Sequence, residues 1–197
     1  MPSSSHRIAN LLSWVISPIV VAPLAYLLII LYGFGHDPSA GLYLSVLVLA
    51  STVVPMLLVY GLKKIGRVSD YNITFREQRF LPLLVMVGVN LLGYEVLIQI
   101  DAPRIISGIL LFTAVNTVLI LLITLQWKIS IHLLTLTSSI ALLCVQFGLL
   151  PAVLLLLVPV LMWSRIVLKA HTFMQTLVGS LVGFAVMYAE LTWWIGL

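Results

Sequence analysis

The sequence predicts an all-α protein: a polytopic integral membrane bundle of about six or seven transmembrane helices. Hydrophobic residues make up 62% of its 197 positions and charged residues only 8%, against roughly a quarter charged in soluble domains. The length suffices for about six or seven spans of about twenty residues each. Each apolar stretch must be a helix, because the bilayer core offers backbone N–H and C=O groups no water to bond. The chain therefore reads as one transmembrane domain over 1–197.

Seven apolar stretches follow in order: Leu11–Phe34, Leu42–Leu62, Phe80–Ile100, Ile105–Gln126, Ile131–Phe147, Leu149–Val167 and Thr172–Trp194. Only the Gly148–Pro151 region separates the fifth from the sixth, and its proline favours a turn or kink. Pro18, Pro23 and Pro55 fall inside spans and should bend them. The Ser-rich start, Met1 to Asn10, lacks a small-residue cleavage site behind a short apolar core, so no removable signal peptide is expected. The longest polar segment, Lys63–Arg79, predicts a loop with short helical pieces.

Seven crossings would put Arg7, Lys63, Lys64, Arg67, Arg76, Arg79, Lys128, Arg165 and Lys169 on one side, nine of the ten Lys and Arg residues, with Arg104 opposite. The excess of Lys and Arg marks that side as cytoplasmic. Cys144, the single cysteine, excludes an intramolecular disulfide framework, and too few thiols remain for a Cys-based zinc site.

Three polar clusters interrupt the apolar pattern, and the predicted topology gathers them at that same face. They are Arg76-Glu77-Gln78-Arg79 followed by Pro82, then Lys128-Ile129-Ser130-Ile131-His132, then Ser164-Arg165 with His171 and Gln175. Guanidinium forks bind phosphate oxygens in pairs and lysine adds a point charge. A histidine can attack phosphorus while a second protonates the leaving oxygen. Backbone N–H groups at a helix start, such as that near Ser130–His132, suit a further phosphate oxygen. Arg76 and Arg79 could equally pair with Glu77 or Asp70 in a structural loop.

Ser164-Arg165-x5-His171 resembles the third signature of the type-2 phosphatidic acid phosphatase superfamily, SRxxxxxHxxxD, and the run to Gly179 and Gly183 resembles the small-residue helix after it. Ser130-Ile131-His132 resembles the second signature, PSGH, reduced to S-x-H. Arg79 with Pro82 resembles the end of the first, KxxxxxxRP. The resemblance, with its motifs within 63–183, implies that His171 is the nucleophile and His132 the general acid. Arg165 and Arg79 would hold the phosphate, with Ser130, Ser164 and nearby N–H groups adding hydrogen bonds. Three positions depart from the pattern. Asn72 stands where the lysine would fall, leaving Arg76 or Lys128 to replace it. Ile131 stands for the motif glycine. Gln175 stands for the aspartate, and its amide can orient a histidine without stabilising the imidazolium by charge.

The expected function is hydrolysis of a phosphomonoester or diphosphate of a membrane lipid, phosphatidate-type or polyprenyl, with no cofactor or metal. The alternative is a weak or inactive relative that binds anionic lipid or a partner protein. A transporter or channel would need polar residues along several spans, whereas here they concentrate at one face. Membrane lipids and a lipid phosphate are the expected partners, and nucleic acid is not. The expected location is a bacterial inner (plasma) membrane, with the motif-bearing face cytoplasmic. Glu95 and Glu190 read as interfacial or protonated structural groups, Asn90 and Asn116 as interhelical hydrogen-bond partners. Trp193 and Trp194 fit an aromatic belt, and Gly179 with Gly183 a close helix contact.

Overall fold

A computed structural model describes residues 3–71, 73 and 75–196. Among the described residues every regular element is helical. Five helices among the described residues are long and apolar enough to cross a membrane: Ala40–Lys64, Arg76–Gln99, Arg104–Gln126, Leu150–Val167 and Phe173–Ile195. A bent pair at the start of the chain brings the number to six if its two helices together make one span. Large apolar side chains remain widely exposed, among them Leu92, Leu149, Leu150 and Leu156, as expected of a surface solvated by lipid tails.

Prolines set the breaks. The first stretch is two helices, α1 (Ser4–Val15) and α2 (Pro18–Gly33), bent by 40°. The bend expected from Pro18 is thus a break between two helices, and the helical region begins before the predicted Leu11. Helix starts earlier than Leu11 because the Ser3 hydroxyl accepts a hydrogen bond from the His6 N–H and caps α1. It stops before Pro18, whose ring disfavours helical geometry in the residue ahead of it. Pro23 lies inside α2. The second stretch comprises α3 (Ala40–Val48), a π-helical turn over Leu49–Val53, and α4 (Val54–Lys64). The Val54 N–H reaches back five residues to the Leu49 carbonyl. Widening the turn there accommodates Pro55, which has no N–H to give and would clash with the carbonyl four residues before it.

The chain divides into two compact units, Met1–Ala25 with Lys128–Ala189, and Tyr26–Trp127 with Glu190–Leu197. The first contains α1, α7 (Ile131–Phe147), α8 (Leu157–Val167) and most of α9 (Phe173–Ile195). At 1.5 Å per residue α7 is about 26 Å long, short of a hydrocarbon core of about 30 Å. Gly148 ends it in the left-handed region (φ 77°), and a 3-10 segment, Leu150–Leu156, leads into α8. Ile16, Leu133, Leu136, Ile140, Cys144 and Leu161 form the core of this unit. The two glycines of α9 lie against α7 and the residues leading into it. A Cβ at Gly179 would come within 2.9 Å of the Ser130 carbonyl oxygen, and one at Gly183 would collide with the Leu134 carbonyl and the Thr137 hydroxyl. The expected close contact is therefore made, and the Ser138 hydroxyl donates to the Gly183 carbonyl across it.

In the second unit α5 (Phe80–Gln99) and α6 (Arg104–Gln126) form a hairpin. Gly93 lets the Leu110 side chain and Ala50 approach. The Asn116 amide donates to Glu190 at 2.7 Å, an interhelical bond of the expected kind. Asn90 departs from expectation: its amide donates to the Met86 carbonyl of its own helix at 2.7 Å, an option open to a short polar side chain four residues on. Glu95 likewise stays on its own helix, accepting from Gln99. Of the two terminal tryptophans, Trp193 is exposed. Trp194 turns inward, edge-on to Phe112, with its indole N–H on the Arg104 carbonyl.

Candidate functional site

The third sequence cluster is built on the end of a helix. The Lys169 N–H bonds to the Ile166 carbonyl at 2.9 Å and the Ala170 N–H to the Arg165 carbonyl at 3.0 Å. Lys169 itself is left-handed (φ 52°). This pair of bonds is a Schellman turn, the standard device for reversing a chain out of an α-helix. The His171 N–H adds a third bond to the Arg165 carbonyl, at 3.3 Å. The five-residue interval between Arg165 and His171 is thus the length of this turn, which fixes the two residues relative to each other. Both are buried, at 4% and 8% exposure.

Three more predicted residues are tied to this turn. Gln175 Oε1 lies 3.1 Å from His171 Nδ1 and also accepts the Thr172 N–H at 3.2 Å. An atom that accepts from a backbone N–H is the amide oxygen, so Nδ1 is the donating nitrogen of the imidazole, and in the neutral ring the lone pair falls on Nε2. The Gln175 carbonyl accepts the Ser130 N–H at 3.2 Å, which joins the start of α7 to the first turn of α9. Lys128 donates to the Ala170 carbonyl at 2.8 Å, one residue before His171. Ser130 is the N-cap residue of α7 but makes no capping bond. Its hydroxyl is wholly buried and has no hydrogen-bond partner among the described residues. His132, half-buried, stands in the first turn of α7.

α1 contributes two contacts that the motif pattern did not point to. The Ser164 hydroxyl donates to the Ala9 carbonyl at 2.6 Å, and Arg165 Nη1 donates to the Ser13 hydroxyl. All four residues are buried. The signal was available: Ala9, Ser13 and Ile16 recur at intervals of four and three, one face of a helix.

The chain matches no family model, no curated protein and no solved structure.

The first sequence cluster belongs to the second unit. Arg79, 3% exposed, donates Nε to the Ile73 carbonyl at 2.8 Å. Arg76 is exposed, pairs with Glu77 at 3.0 Å and donates to the Gln126 carbonyl at 2.7 Å. The contacts of Arg76 and Arg79 brace the loop between α4 and α5, the structural role open to them from sequence. Gln78 does likewise, accepting from the Ser69 N–H and hydroxyl. Arg76 and Glu77 also border a shallow groove of about 190 Å³ with Phe80, Leu121, Thr124 and Leu125. Asn72, where the resemblance would place a lysine, lies outside the described residues. Among the described residues no group of three or more His, Cys, Asp and Glu comes together to hold a metal ion.

The turn carries an imidazole with one nitrogen bonded to an amide and a buried arginine, and the Lys128 ammonium reaches its Ala170 carbonyl. A second histidine and an unsatisfied hydroxyl lie at the start of the adjoining helix. Such a set can bind an anion and offer it a nucleophile.

Proposed function

We propose that the protein is a membrane lipid phosphatase that works through His171. The observation that carries this reading is the Gln175–His171 hydrogen bond, which engages Nδ1 and so leaves the lone pair of the neutral ring on Nε2. Nε2 would attack phosphorus, the bond to the lipid oxygen would break, and His132 would give that oxygen its proton. Water would then attack the phosphohistidine, releasing inorganic phosphate and restoring His171, while its proton returns to His132. Arg165 and Lys128 supply positive charge for the transition state. The Ser130 hydroxyl and the start of α7 supply donors for phosphate oxygens. The reading rests on the first unit and uses neither Arg76 nor Arg79.

The substrate would be a phosphomonoester or diphosphate of a phosphatidate-type or polyprenyl lipid, with its chains in the bilayer and its head group at the turn. The cytoplasmic orientation is supported by the distribution of the basic residues, with α7 counted as a crossing. Purified protein in detergent micelles should release phosphate from phosphatidate, phosphatidylglycerol phosphate or a polyprenyl phosphate, and His171→Ala should abolish the release. Absence of release from all three by folded wild-type protein would overturn the reading. The neutral amide of Gln175 favours a second reading, a relative that binds phosphate lipids without turnover. In that case binding would persist without release.

A further inference from the structure

We infer that Ser13, on α1, is a positioning residue for Arg165 and that α1 thereby belongs to the anion site; this rests on the reading of the Arg165–His171 turn as a phosphate-binding element. Arg165 leaves α8 at its last turn and is buried, so its guanidinium can serve an anion only if its direction is set. The Ser13 hydroxyl sets it by accepting from Nη1. The neighbouring bond from Ser164 to the Ala9 carbonyl holds α1 in register one helical turn away, so the two bonds together clamp α1 along α8. Ile16 extends the same stripe into the core that contains Leu161 of α8.

The chemistry of the acceptor matters. A hydroxyl satisfies one N–H of a guanidinium without cancelling its charge, whereas a carboxylate at the same place would form an ion pair and compete with any incoming anion. Serine here therefore orients Arg165 without itself neutralising the guanidinium. A purely mechanical tie between α1 and α8 has no such requirement, and a carboxylate would serve it as well or better.

This difference defines the test. The full-length protein in detergent is titrated with inorganic phosphate by calorimetry, with thermal unfolding and lipid phosphate release measured on the same samples. The variants are Ser13→Ala, Ser13→Thr and Ser13→Asp. Ser13→Ala should weaken phosphate binding roughly tenfold, the loss of one hydrogen bond to a charged group. Ser13→Thr, which keeps the hydroxyl, should restore it. Ser13→Asp should unfold no earlier than wild type yet bind phosphate more weakly than Ser13→Ala. Unchanged affinity in folded Ser13→Asp would overturn the inference, as would a wild type that binds no phosphate. Binding that follows this order without phosphate release would sink the phosphatase reading alone and leave the role of Ser13 standing.

Discussion

The amide oxygen of Gln175 lies 3.1 Å from Nδ1 of His171, one helical turn away in sequence, and receives the Thr172 N–H as well. Two donors converge on one neutral acceptor, so the ring is oriented but no carboxylate faces it from Gln175. Substituting Gln175→Glu keeps the length of the side chain and adds the missing charge. In a phosphatase of the proposed kind it should raise phosphate release on the order of tenfold or more, because a carboxylate stabilises the imidazolium formed in turnover. Gln175→Leu should lower release by at least as much. Steady-state rates on a lipid phosphate check both, and a Gln175→Glu rate no higher than wild type would remove the charge argument.

The glycines of α9 make a prediction about stability. Gly183→Ala places a methyl group against the Leu134 carbonyl and the Thr137 hydroxyl, so the helices must separate, at a cost of about 1–3 kcal/mol. Gly179→Ala meets the Ser130 carbonyl oxygen and should in addition disturb the bond between the Ser130 N–H and Gln175. Thermal unfolding in detergent should therefore fall for both variants, and phosphate release should fall further for Gly179→Ala than for Gly183→Ala.

Lys169 is exposed and left-handed at the end of α8, where glycine carries no steric penalty. Lys169→Gly should stabilise the protein by about 1 kcal/mol while leaving the Schellman turn intact. A lower unfolding temperature would show that the lysine side chain contributes more than its backbone strain costs.

In the second unit, Asn116 and Glu190 join α6 to the end of α9. A double-mutant cycle of Asn116→Leu and Glu190→Leu should return a coupling energy of about 1 kcal/mol, the scale measured for interhelical polar contacts in membranes. A value near zero would mean that packing alone holds these helices.

The orientation has a direct check. Cys144 is buried, so an impermeant thiol reagent applied to intact cells should find only introduced cysteines. Ser69→Cys and Tyr71→Cys, in the exposed part of the loop before α5, should stay unlabelled from outside and react after the membrane is opened. Labelling from outside would invert the assignment.

How much was legible in advance follows from the kind of physics involved. The all-helical membrane class was written in composition, since a chain 62% hydrophobic and 8% charged leaves little but helices for an apolar solvent. Helix ends near charged turns were legible too, because Lys63, Arg104 and Lys128 mark where apolar runs stop. The break at Ile16–Ser17 was less so: proline was expected to bend a span, but the start at Ser4 depended on a serine cap within a polar run.

The candidate site divides along the same line. The predicted topology gathered three clusters of residue types suited to phosphate, and the second and third are bonded to each other through Ser130, Gln175 and Lys128. The sequence by itself determined that His171 and Gln175 would meet, because four residues at a helix start is a local distance. It also determined that Gly179 and Gly183 would share one face. Only the tertiary structure decided that Ser13 and Ala9 would receive Arg165 and Ser164, contacts spanning more than 150 positions. It also decided that Arg79 would spend its Nε on the Ile73 carbonyl and that the Ser130 hydroxyl would be buried with no described partner. Local hydrogen bonds follow from chain geometry, whereas the direction of a buried guanidinium depends on which distant helix offers it an acceptor.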